Sequence, residues 1–373
     1  MRKSFVLFLA FASITLYSCK TRNTQADEFD GITVYTPMLN PEHTPKPKRA
    51  EMVQRIDTIF LDNSVLESYV DNIQQVRFTK DLIFVQAQDV LFMFDWNGKY
   101  VRRILKKGRG HGEYLDLSKF DIQEDKELIT VFDARQGEFL VYTFGGEFVR
   151  RFPAPSFVAD FVVLPNGHYL IMNLSDVRRC IRGLFETDEN GEYLRPLYQI
   201  PDYFKHISIS PEYLVHINDS VIGCQGLEEN DYIFHYQNDT LVPVYKIKPD
   251  IVMSRDIMED DRAWDDSEHE YGKASYWETD EYMGISLMTP GETYNFMIAA
   301  YNKQTGKTYR YYLDELMESD TQLDFVPSFR FCYKGKAIIF YNYDIISQSE
   351  EMMKEFPTIT PDSNPVLFFT TLK

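Results

Sequence analysis

The chain has 373 residues with 44% hydrophobic content, enough apolar side chain to fill a large core, and a formal net charge of −18 at pH 7. That charge repels nucleic acid and anionic lipid headgroups, which excludes both as expected partners of the folded body. Aromatic residues reach 15%, with 25 Tyr and 28 Phe, a composition that favours pleated sheet over helix.

Arg2 and Lys3 open the chain with positive charge, an apolar run extends from Phe5 to Leu16, and small Ser18 precedes Cys19. This is the layout of a secretory signal. The run is too short for a permanent anchor, because a bilayer-spanning helix needs roughly 20 apolar residues. Leu16-Tyr17-Ser18-Cys19 resembles the lipobox of bacterial lipoproteins. That resemblance implies that residues 1–18 are removed and that Cys19 is acylated as the first mature residue. No later segment is apolar enough to cross a membrane, so the body is expected to meet one only through this lipid.

Residues 20–50 are polar and carry Pro37, Pro41, Pro45 and Pro47. Proline-rich chain stays extended, so 19–50 is expected to be a tether that holds the body, 51–373, away from the membrane surface. Ile56 to Leu61 then reads as a strand with no hairpin partner nearby.

A repeat begins after it. Leu91 to Phe94 is an apolar run, Asn97-Gly98 a turn, and Tyr100 to Ile104 a second run, which together are a hairpin signature. The pattern returns as Phe139 to Phe144, Gly145-Gly146 and Phe148 to Phe152. Further turns fall at Asn190-Gly191, Asn238-Asp239 and Gly306. A spacing of about 45 residues with strands and no helical repeat is the size of a four-stranded propeller blade. Each hairpin supplies the outer two strands, while runs such as Leu128 to Phe132 and Tyr169 to Met172 supply inner ones. The expected fold is all-β, a six-bladed β-propeller with blades near 70–105, 117–152, 156–200, 205–247, 280–313 and 325–373. The sixth is short of a strand, which Ile56 to Leu61 supplies, closing the ring and removing free sheet edges.

Gly108-Arg109-Gly110-His111-Gly112-Glu113-Tyr114 follows the first hairpin. With the lipobox and the hairpin turns, this stretch makes the chain resemble the six-bladed β-propeller lipoproteins of Bacteroidetes, in which proline usually stands where His111 does here. The resemblance spans the mature body. It implies the fold and an address in the cell envelope, at the outer membrane, but little chemistry, since propellers host unrelated functions. Two readings of the glycine stretch remain. Its amides can receive an anion, or its glycines can turn the chain between blades while Arg109 and Glu113 brace the corner. The corner reading is preferred, because no Gly-Lys-Ser or Gly-Lys-Thr ending follows.

Arg102-Arg103 recurs as Arg150-Arg151, so these pairs belong to the repeat and are expected to edge an outer strand, where charge discourages pairing with another sheet. Residues 250–281 are rich in Asp and Glu but lack calcium-loop spacing and read as a solvated insertion. Cys180, Cys224 and Cys332 are too scattered to be a disulfide framework. No catalytic, metal or cofactor motif is present. The expected function is a binding or scaffold protein that holds a glycan, small molecule or envelope protein at one face of the ring. The alternative is a hydrolase or lyase acting on glycans or related small molecules at the channel.

Overall fold

Apolar runs separated by tight turns pair into antiparallel sheets of four strands arranged around an axis. The computed structural model describes residues 26–29, 32–37, 52–104, 106–175, 182–202, 212–225, 232–247, 272–288, 296–312 and 329–373. Blade 1 comprises Ile73–Phe78, Leu82–Ala87, Val90–Asp95 and Tyr100–Ile104, and blade 2 Leu117–Gln123, Leu128–Asp133, Glu138–Thr143 and Phe148–Pro153. Blade 3 comprises Asp160–Val163, Tyr169–Asn173, Gly183–Thr187 and Tyr193–Gln199, and blade 4 Leu214–Asn218, Val221–Cys224, Tyr232–Gln237 and Thr240–Lys246. Blade 5 comprises Gly272–Glu278, Tyr282–Met288, Phe296–Asn302 and Thr308–Tyr312. In each of these the first strand is innermost. Blade 6 takes Phe331–Tyr333, Lys336–Tyr341 and Val366–Leu372, and its outermost strand is Val53–Phe60 from the other end of the chain.

The outer hairpins turn where the sequence places them: Gly98, Gly146, Gly191, Asn238, Asp239 and Gly306 all have positive φ, as tight hairpin turns require. Middle strands are apolar on both faces because a blade is sandwiched between neighbours. Between blades 1 and 2, for example, Phe84, Leu91, Met93 and Ile104 pack with Phe120, Ile129, Leu140 and Tyr142. Full burial of side chains of this size contributes about 1.5–3 kcal/mol each.

Closure is as the sequence predicts. Val366–Leu372 pairs antiparallel with Val53–Phe60, with Val366 opposite Phe60, and the Lys373 amide donates to the Met52 carbonyl at 2.9 Å. The innermost strands have a second need, since their channel-side backbone N–H groups lack a ladder partner. Side chains of the preceding blade supply it: Gln75 accepts from the Phe120 amide, Asp121 from Val163, and Asp160 from both Tyr213 and Leu214.

Two sequence expectations change. Residues assigned to an extended tether form a hairpin, Ala26–Phe29 with Ile32–Tyr35, which joins the outer edge of blade 4 through a parallel pairing of Tyr35 with Tyr245. That edge strand offers unpaired backbone groups, and Val34 and Thr36 become buried against it. The stretch 250–281, read as an insertion, contains the inner strand of blade 5, Gly272–Glu278. Its residues 250–271, together with Cys19 and Cys180, lie outside the described residues. No helix among the described residues is long and apolar enough to cross a membrane.

Candidate functional site

Apolar inner strands carry isolated charges, and the ring brings those charges together. Arg77 stands between Val76 and Phe78 in blade 1 and Asp121 between Phe120 and Ile122 in blade 2; both are buried. The Arg77 Nε donates to Asp121 Oδ1 at 2.9 Å, and its Nη1 donates to Glu212 Oε1, just before the inner strand of blade 4, at 2.8 Å. A buried charge is tolerable only when paired and hydrogen-bonded. Asp121 meets that condition, taking the Val163 amide at 2.7 Å and lying 3.1 Å from His216 Nε2 through each carboxylate oxygen. Burial pushes the Asp121 carboxyl up, but the His216 and Arg77 groups and the Val163 amide outweigh it and hold the carboxyl below the usual range. Asp160, equally buried, goes the other way: burial outweighs the nearby Lys119 and raises it.

Unlike its partners, His216 is partly exposed, at 33% of its side chain. It lines a cavity of about 270 Å³ with Arg77, Asp121, Glu212, Phe78 and Tyr333 as inner wall and Glu124, Asp219, Asp280 and Lys334 at the rim. It also lines a wider cavity of about 780 Å³ between blades 2, 3 and 4, bounded by Glu124, Asp125, Asn166, Asp219, Tyr236 and Asp239. The two therefore meet at His216 on the face that carries the hairpin turns. An ionised carboxylate only accepts, so Nε2 carries the proton toward Asp121. Nδ1 has no partner among the described residues and is left for a ligand or a water molecule.

Two further carboxylates join blades beside this mouth. Glu186 in blade 3 receives Arg195 Nε at 2.8 Å and lies 2.8 Å from His168 Nδ1, while Arg195 reaches Tyr236 of blade 4. Glu278 in blade 5 contacts His235 of blade 4, Tyr245, Tyr276 and Lys303. Burial raises the Glu278 carboxyl, but the His235 and Lys303 contacts outweigh it and bring it to about 2. Among the described residues, no set of three or more His, Cys, Asp or Glu side chains is placed to hold a metal ion.

The glycine stretch lies apart from this mouth, at the crossing from blade 1 to blade 2. Glu113 folds back into it and accepts from the Gly110 amide at 2.7 Å, so the chain's own carboxylate occupies the position an anion would take. Gly112 has a φ of +73°, and a Cβ there would lie 2.5 Å from the Phe148 ring. Gly108 and Gly110 are confined by the Glu113 carboxylate instead. Tyr114 is fully buried and donates to the Asp89 carbonyl at 2.6 Å. The stretch is thus a corner, but Arg109 does not brace it: that side chain is exposed and makes no bond among the described residues. Support from outside comes from Arg151, which donates to the Gly110 carbonyl at 3.3 Å, from the Tyr142 hydroxyl, which donates to the Gly112 carbonyl at 3.2 Å, and from Gln136, which donates to the Glu113 carbonyl at 3.4 Å.

The arginine pairs also act differently from the edge-guarding expected of them. Arg102 donates to the Gly145 carbonyl in the next blade's hairpin turn at 3.0 Å, and Arg150 does the same to Glu189 one blade further on, at 2.7 Å. Arg102 and Arg150, the first of each pair, are ties between neighbouring blades.

Residues 41–371 match the model of a family described as a domain of unknown function, DUF4934. Among solved structures, the chain is similar to a Bacteroides fragilis protein assigned as exported, at 17% identity and a TM-score of 0.68, covering 86% of this chain and 95% of the other. It is also similar to a DUF4221-family protein of Bacteroides vulgatus, at 10% identity and a TM-score of 0.53, covering 87% and 99%. At these identities the likeness is one of fold. No curated protein matches the chain.

Proposed function

The chain belongs to the DUF4934 family, a domain of unknown function, and from that premise and the geometry of the mouth we propose that it is an exported, lipid-anchored envelope protein that binds a small polar ligand, glycan or otherwise, at the His216 end of its ring. The observation that carries the binding role is His216 itself. A partly exposed imidazole is fixed by a buried carboxylate at the meeting point of two cavities, with one ring nitrogen left for a ligand. Fixed polar groups in a concave site with apolar walls are what small-molecule recognition uses.

The address rests on the charged start, short apolar run and Cys19 of the sequence, and on a fold neighbour from Bacteroides that is assigned as exported. Outer-membrane attachment through Cys19 then places the acidic body beside the bilayer with no lipid contact of its own.

Binding is tested by titrating a panel of mono- and oligosaccharides into the mature protein and into His216→Ala. A ligand that loses at least about tenfold in affinity in the variant, with the melting temperature unchanged, supports the reading. Saccharide binding indifferent to His216 counts against this mouth. For the address, Cys19→Ala is expected to leave the membrane fraction, and a variant that still pellets with membranes after a high-salt wash refutes the anchor.

An enzymatic reading has one observation in its favour. His216 is oriented by Asp121 and its Nδ1 has no partner among the described residues, which is the placement a proton-transfer group needs. In that reading a hydrolase or lyase acts on a glycan at the same mouth. Turnover of any panel member, abolished in His216→Ala, would establish it.

A further inference from the structure

We propose that the His216 mouth selects small organic cations, amines that carry further hydrogen-bond donors, over neutral and anionic molecules of the same size. This rests on the binding reading above and names its ligand class. The Arg77 charge is already met by Asp121 and Glu212, although its buried Nη2 has no hydrogen-bond partner among the described residues. What faces an incoming molecule is the rim. In the smaller cavity it holds Glu124, Asp219 and Asp280 against Lys334, and in the wider one Asp125 and Asp239 join with no Lys or Arg.

Asp219 and Asp280 have no ion-pair partner among the described residues. The Lys334 nitrogen lies 5.0 Å over the Tyr333 ring. A cleft lined by one sign of charge focuses its field and raises the local concentration of the opposite charge. An anion would meet carboxylates from both cavities.

Three other observations point the same way. Carboxylates only accept hydrogen bonds, so the complementary ligand is rich in N–H and O–H groups. Phe78 and Tyr333, with ring centroids 5.3 Å apart, give the smaller cavity an apolar wall for the carbon frame of such a ligand, and Lys334, drawn over the Tyr333 ring, already shows a cation held there. A bare metal ion is the poorer fit, because the described carboxylates and histidines do not converge into a ligand set. At about 270 Å³ the smaller cavity takes a single ring or a short chain.

The test uses matched probes on the full mature protein: glucosamine, glucose and glucuronate, and putrescine, 1,4-butanediol and succinate. The amine of at least one set is expected to bind about tenfold tighter than its neutral and anionic counterparts, and more weakly as salt rises. Asp219→Asn with Asp280→Asn is expected to remove most of that preference at unchanged melting temperature, since Asn suits exposed turns. A neutral or anionic probe that binds as well as the amine, and is lost in His216→Ala, overturns the charge selection while leaving the mouth as a binding site. Amine binding indifferent to the two Asn substitutions, or no amine binding by about 10 mM, also overturns the proposal.

Discussion

His216 of blade 4 places its Nε2 3.1 Å from both carboxylate oxygens of Asp121 in blade 2. The same carboxylate holds Arg77 of blade 1 and the Val163 amide of blade 3, so one buried side chain gathers four blades on the channel axis. It orients the exposed imidazole and also neutralises the buried guanidinium. Those two jobs can be separated by mutation.

Asp121→Asn leaves Arg77 with a single buried counter-ion. Breaking a buried ion pair costs about 3–5 kcal/mol, a large part of the 5–15 kcal/mol or so that holds a typical protein folded. Urea unfolding is expected to show that loss. His216→Ala should cost clearly less in the same assay, because it removes a group that is one-third exposed and whose place beside Asp121 cavity water can reach, while Arg77 remains paired. Similar losses in both variants would mean that the imidazole is part of the scaffold.

Acid should act through Glu278. Its ordinary value is 4.5 and its folded value about 2, so its contribution is fully present above pH 4.5 and is lost as pH falls toward 2. Each unit of difference is worth about 1.4 kcal/mol, which makes the loss about 3 kcal/mol. Asp160 has the opposite sign: its raised folded value means that protonation in acid favours the folded state. Glu278→Gln should therefore show a shallower acid limb than the native protein in urea midpoints measured from pH 5 to pH 2. Parallel limbs would contradict the assignment.

The hairpin turns were legible in the sequence because Asn97-Gly98, Gly145-Gly146, Asn190-Gly191 and Asn238-Asp239 are the residue types that tolerate the backbone those turns demand. The closing strand was legible because Ile56 to Leu61 had no local partner. The mouth was not, since Arg77, Asp121, Glu212 and His216 sit on different blades and only ring closure makes them neighbours. A signal was nonetheless present: one charge in the middle of an apolar inner strand, as in Val76-Arg77-Phe78 and Phe120-Asp121-Ile122. The hairpin at 26–35 escaped because prolines further along dominate the reading of its segment, and its pairing depends on an edge some 200 residues away in sequence.

At the blade 1 to blade 2 corner, the glycines should differ sharply. Gly112→Ala forces a side chain into positive φ and against Phe148, which should cost about 1–3 kcal/mol. Gly110→Ala meets only the end of the Glu113 side chain, at 2.9 Å, and should cost less. Arg109→Ala should fall within about 0.5 kcal/mol of the native protein, as exposed substitutions without special contacts do. A large loss on Arg109→Ala in thermal or urea unfolding would show that Arg109 braces the corner after all.

The N-terminal chain serves the ring in two ways, as a hairpin on blade 4 and as the closing strand of blade 6. A protein starting at Met52 keeps Val53–Phe60 on Val366–Leu372 and, among the described elements, loses only the hairpin on the edge of blade 4. Its stability should fall modestly, through exposure of the ground covered by Val34 and Thr36. A protein starting at Asn63 loses the closing strand itself. The ladder of Val366–Leu372 is then open along its length, and the partly buried Val53, Ile56 and Ile59 no longer pack on the blade 6 cores. Three such side chains at about 1.5 kcal/mol each, taken at the low end because they are only partly buried, amount to several kcal/mol before the lost hydrogen bonds are counted. The melting temperature should drop sharply from the first truncation to the second. Equal melting temperatures would refute closure by this strand. The second protein should also associate on concentration, since an open edge of unpaired N–H and C=O groups is a template for a second chain. Sedimentation that finds it monomeric would mean that another segment covers the edge of Val366–Leu372.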